Sequence, residues 1–178
     1  MTHIDSLDTG TIIKEEFWRQ YTQCRFAYNY NAMKRNAYKR TYFAITFMMS
    51  IITALSAVGW GIMDKYATIW AAIIFVSQLV NALKDQLSLS ERTWALNQYL
   101  KSIVKDLSKF VNEWRQIMQG NLSENDIRVI LEEHEALWSG NEADYLLKFD
   151  FIDSKRLIDK ANRRTNAEII AMHGAGEV

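Results

Sequence analysis

Residues 41–83 read TYFAITFMMSIITALSAVGWGIMDKYATIWAAIIFVSQLVNAL. Only Asp64 and Lys65 interrupt two charge-free runs, Thr41 to Met63 and Tyr66 to Leu83. As helices rising ~1.5 Å per residue these runs reach roughly 34 Å and 27 Å, against a bilayer hydrocarbon core of ~30 Å. The connection is short enough to demand an antiparallel turn. A buried hairpin in a water-exposed protein is the alternative, but a core helix of that length normally shows one wet face. The flanks also have the texture of membrane flanks, with Tyr38, Tyr42 and Phe43 at one end and Trp60, Tyr66 and Trp70 at the other. Basic residues lie on the outer sides: Arg25, Lys34, Arg35, Lys39 and Arg40 precede the first run, Lys84 and Arg92 follow the second, and the turn holds Lys65 alone. The sequence therefore predicts an all-α membrane protein, a two-span transmembrane hairpin with a cytoplasmic helical and coiled-coil bundle. The expected location is the bacterial inner membrane, with both termini cytoplasmic.

The rest of the chain is as polar as a water-exposed protein, and the mean hydropathy over all 178 residues is −0.18. Twenty-one basic and twenty-one acidic side chains leave no net charge, so no strong nucleic-acid signal is present. The single cysteine, Cys24, permits no intrachain disulfide. No proline interrupts the helices, which leaves glycine as the only breaker.

Five segments follow from the patterning. Residues 1–10 lack periodicity and are expected to be a flexible N-terminus. Residues 11–40 form a cytoplasmic amphipathic helix whose seam carries Phe17, Tyr21, Cys24, Tyr28 and Asn31 or Ala32. The hairpin occupies 41–83. Over 84–120, Leu96, Leu100, Ile103, Leu107, Phe110, Trp114 and Ile117 alternate steps of four and three, the signature of a coiled-coil seam, and Gly120 is placed to end the helix in a left-handed cap. This seam meets either the aromatic stripe of the N-terminal helix inside one protomer or its own copy between protomers. Residues 121–178 form a C-terminal helical region that opens on a capping box at Ser123, with one helix ending near Trp138 to Gly140.

Signatures of enzyme chemistry are missing: there is no glycine-rich phosphate loop, no cysteine pair and no nucleophile elbow, and no cofactor or metal is expected. One constellation merits chemistry. Arg128 and His134, with five residues between them, resemble the Arg-x4-6-His motif of HEPN ribonucleases, and that resemblance implies two protomers bringing an imidazole to a ribose proton and a guanidinium to the phosphorane. The competing reading is a satisfied core histidine, because His134 falls on the apolar stripe of Ile127, Ile130, Leu131, Leu137 and Trp138. In the first apolar run Thr46, Ser50, Thr53 and Ser56 form one hydroxyl stripe. Such a stripe serves helix packing or, in a ring of several protomers, lines a pore.

The stretch from Ala27 to Ile117 opens AYNYNAMKRNAYKRTYF (27–43) and continues through two apolar runs, Asn81, Glu91-Arg92 and the heptad helix. In this it resembles the SLATT-type two-span domains, small bacterial membrane proteins found with nucleotide-sensing defence modules. The resemblance covers about half of the chain and rests on architecture and residue texture. The chain is also similar in size and plan to the small membrane accessory proteins of type VI-B CRISPR systems, for which a divergent HEPN-like motif has been proposed; Arg128 and His134 are the matching positions. The first resemblance implies an oligomeric inner-membrane effector that permeabilises or depolarises the membrane in antiviral defence. Its partners would be the lipid bilayer, further copies of itself and a defence-system protein. The alternatives are a membrane anchor or adaptor that recruits a soluble partner, and a HEPN-like ribonuclease tethered to the membrane.

Overall fold

The computed structural model describes residues 4–58, 63–86 and 88–174, with side chains over 11–54, 68–82 and 88–172. Over these residues the chain is all-helical: α1 (Ile4–Val58), α2 (Met63–Gln86), α3 (Leu89–Met118), α4 (Glu124–Tyr145) and α5 (Lys155–Gly174). They divide into two compact units, one of Met1–Lys34 with Ala95–Val178, the other of Arg35–Trp94.

The first unit is built on the two seams visible in the sequence. Phe17, Tyr21, Cys24 and Ala27 of α1 share one buried cluster with Tyr99, Ile103, Leu107, Phe110 and Ile117 of α3, and Ile127 and Leu131 of α4 join it. Phe17 meets Phe110 edge-on at 5.2 Å between ring centres and stacks on Trp114 at 5.8 Å, while Tyr21 reaches Phe110 at 6.0 Å. Each such pair adds ~0.5–1.5 kcal/mol beyond the area it buries. Leu96 and Leu100, at the start of the heptad pattern, are buried as well. The coiled-coil seam is therefore occupied inside one protomer.

Local signals set the helix ends. Gly120 has φ +71°, its N–H donates to the Ile117 carbonyl and the Asn121 N–H donates to that of Gln116, a Schellman stop for α3. Ser123 then caps α4: its Oγ accepts from the Asp126 N–H, and Asp126 accepts from the Ser123 N–H at 3.0 Å. The Ser123 hydroxyl, which donates to Asp126 Oδ2 at 2.6 Å, and then the Ser123 N–H hold the Asp126 carboxyl below the usual carboxylate range. α4 runs on to Tyr145 rather than ending near Gly140. Trp138 donates to the Tyr99 hydroxyl at 3.0 Å and Tyr145 and Leu146 pack on the core, which outweighs the ~1 kcal/mol that a mid-helix glycine costs. α1 likewise begins at Ile4 rather than Thr11.

α5 joins the first unit through polar contacts with α1. The Arg25 guanidinium and the Asn29 amide both donate to the Glu168 carboxylate, at 2.8 and 2.9 Å, and Asn29 also donates to Thr165 at 3.0 Å. Just before α5, Asp153 accepts from Lys34 and from Tyr30. Burial pushes the Glu168 carboxyl up, yet bonds from Asn29, Arg164 and Arg25 outweigh it and hold it low.

The second unit corrects the expected transmembrane hairpin. Among the described residues no helix is long and apolar enough to cross a membrane. The two charge-free runs fall on α1, described to Val58, and on α2, described from Met63 to Gln86. Ser56, Trp60 with Gly59 and Gly61, the turn residues Asp64 and Lys65, Tyr66, Lys84 and the tail from His173 lie outside the residues with described side chains.

Candidate functional site

His134 sits in the core of the first unit, 2% exposed, with its ring stacked on Phe110 at 3.7 Å. Its Nδ1 lies 2.7 Å from Asp106 Oδ1 and its Nε2 lies 2.5 Å from Glu113 Oε2. Both partners are carboxylates, so the imidazolium, which alone donates from both nitrogens, is the form that satisfies the pair. Burial pushes the histidine down, but the bonds to Asp106 and Glu113 and their charges outweigh it and raise its pKa to about 9. Asp106, Phe110 and Glu113 stand at i, i+4 and i+7 on α3, so one face of that helix presents carboxylate, ring and carboxylate in succession to α4.

This geometry leaves His134 no ring nitrogen for a substrate. Arg128 is exposed, and six residues of helix turn the two side chains about 120° apart. The structure therefore does not bring Arg128 and His134 together within the chain; it holds His134 as a satisfied core histidine. Cys24 lies in the same core, 2% exposed; burial and the nearby Asp106 charge, only partly offset by Arg25, push its thiol up to about 12. Among the described residues no group of three or more His, Cys, Asp or Glu side chains is placed to hold a metal ion. A cleft of about 370 Å³ between α1 and α4 is lined by Glu16, Arg19, Gln20, Gln23, Glu135, Trp138, Ser139 and Glu142. It is open and largely polar, with Glu16 and Arg19 already paired at 2.7 Å.

The hydroxyl stripe is placed in the second unit. Ser50 donates to the Thr46 carbonyl at 3.0 Å and Thr53 to the Met49 carbonyl at 2.9 Å, so both hydroxyls are spent on their own helix. Thr46 is half-buried and its Oγ1 is covered without a partner. On α2 the covered face carries Trp70, Ile73, Ser77 and Val80, with Ser77 buried and bonded to the Ile73 carbonyl at 2.7 Å. On α1 the half-covered positions are Tyr42, Ile45, Thr46, Met49 and Ile52, with Ser50 and Thr53 exposed, while a further set of large apolar side chains points away. Phe43 (68% exposed), Phe47, Met48 and Ile51 stand out from α1; Ile69, Ile74, Phe75 (70% exposed), Val76 and Leu79 stand out from α2.

Sequence reading missed which face of each helix is covered. Its signal is that the 3–4 spacing on α2 selects Trp70, Ile73, Ser77 and Val80 no more strongly than the residues around them. Where every face is apolar, periodicity cannot say which one the fold covers. No family model, curated protein or solved structure matches the chain.

Proposed function

We propose that this protein is a self-associating, membrane-active effector whose second unit sheathes its outer faces in the apolar layer of a lipid bilayer, with no chemical step of its own. One observation carries the reading: two adjacent helices expose a large apolar surface over stretches free of charge, around covered faces that include Thr46 and Ser77. Water-exposed monomers rarely carry contiguous apolar patches of that extent. Returning these side chains to an apolar medium is worth on the order of 10 kcal/mol before ordering costs, at ~1.5–3 kcal/mol for each fully buried large side chain. The reading needs no helix to cross the bilayer, because amphipathic helices bury their apolar faces from one side of the interface. The resemblance to SLATT-type domains supports a role in antiviral defence, in which perturbing the membrane is the output.

The test is flotation of the purified protein with lipid vesicles, together with release of a trapped dye. Wild type is expected to float and to release dye; Phe47→Asp with Phe75→Asp is expected to do neither while keeping its helical circular dichroism. Flotation without release moves the protein to a membrane anchor that recruits a partner. Failure of the wild type to float rejects the reading.

A further inference from the structure

Resting on the lipid reading above, we infer that the surface this protein binds is anionic, and that Lys39 and Arg40 select it. The two residues are exposed, and neither makes an ion pair among the described residues. Their position is specific. Lys39, Phe43, Phe47 and Ile51 follow one another at steps of four, so a cation stands one helical turn below the apolar ridge and on the same outward face. Arg40 stands in the adjoining row, below Phe43 and Phe47.

Helical side chains lean toward the N-terminus of their helix. Lys39 and Arg40 therefore project away from the ridge, while their methylene stems continue its apolar surface. That is the arrangement in which a lysine or arginine reaches to headgroup level as the neighbouring rings sink below it. The charge balance of the unit agrees: its described side chains include Arg35, Lys39, Arg40 and Arg92 against the single acid Glu91. An anionic lipid phosphate meets the exposed charges of Lys39 and Arg40 there, whereas a zwitterionic headgroup brings its own positive charge.

Each basic residue at an anionic surface strengthens binding by roughly fivefold, so the pair supplies a preference of roughly 30-fold. Binding is measured on phosphatidylcholine vesicles and on vesicles enriched in phosphatidylglycerol, for wild type and for the double variant Lys39→Gln, Arg40→Gln. Wild type is expected to prefer the anionic vesicles, and to lose that preference as salt rises from about 0.1 M to about 1 M and the screening length falls from ~10 Å to ~3 Å. The double variant is expected to bind phosphatidylcholine as wild type does and to show no preference. Equal wild-type binding to both vesicle types, or a preference retained by the double variant, overturns the inference while leaving the lipid reading intact. Binding to neither overturns both.

Discussion

Phe110 and Phe47 are the same side chain in opposite circumstances. Phe110 is 1% exposed, touched by Phe17, Tyr21 and His134; Phe47 is 55% exposed and its ring contact is Phe43, one turn away on its own helix. In the first unit three helices pool their apolar faces and enclose one charged cluster, His134 with Asp106 and Glu113. In the second, two helices half-cover one face each and leave Phe43, Phe47, Met48, Ile51, Ile69, Ile74, Phe75, Val76 and Leu79 outside. The first unit is stabilised by what it encloses, whereas the second has most of its apolar surface still to bury. Burial thus separates stability from interaction along one chain.

That contrast can be broken by matched substitutions. Phe110→Ala is expected to cost about 3–5 kcal/mol of folding stability, read as a shift in the urea midpoint. It deletes a core ring and the surface against which His134 stacks. Phe47→Ala is expected to leave that midpoint within about 0.5 kcal/mol, yet to weaken vesicle binding roughly tenfold. Equal effects on stability from both substitutions would remove the distinction between the units.

A second test uses pH. The folded pKa of His134, about 9, stands above the ordinary value of 6.5, so its contribution is complete below about pH 6.5 and is lost as pH rises through 9. Urea midpoints are expected to fall between pH 6.5 and 9.5 by an amount on the order of 3 kcal/mol. In His134→Gln that slope should vanish from an already lowered baseline, because the buried Asp106 and half-buried Glu113 carboxylates then face a neutral group. Vesicle binding by the second unit should not follow the histidine.

Smaller effects refine the picture. Gly120→Ala meets open space but must keep φ near +71°, so a loss of about 1 kcal/mol is expected from backbone strain alone, measurable by thermal unfolding. Thr46→Val has the opposite sign. It removes a covered hydroxyl without a partner at nearly constant shape, and is expected to be neutral or to stabilise by up to about 1 kcal/mol. A loss there would mean that the Thr46 hydroxyl has work outside the fold.

Much of the first unit was legible in the sequence because its signals are local or periodic. The 4–3 alternation from Leu96 to Ile117, the stripe from Phe17 to Tyr28, the left-handed Gly120 and the Ser123 box each depend on neighbours within a turn or two. The histidine clamp was legible in principle. Asp106 and Glu113 flank Phe110 at i−4 and i+3, which puts them on the buried side, although by composition they belong with the polar face of α3. The Arg25, Asn29 and Lys34 contacts to Asp153, Thr165 and Glu168 were not, since well over a hundred residues separate the partners and no period links them. The hairpin was misjudged for a different reason. The two spans were inferred from freedom from charge alone, and among the described residues no helix is long and apolar enough to cross a membrane.

Cys24 offers a practical reading of these opposed regions. As the sole cysteine, enclosed between α1 and α3 with a thiol that stays protonated at neutral pH, it meets an alkylating reagent only when that core opens. The molecule therefore carries its own single-site clock for breathing of the first unit. Labelling rates with and without vesicles would time whether engagement of the apolar ridge slows, quickens or ignores that opening, with no added probe.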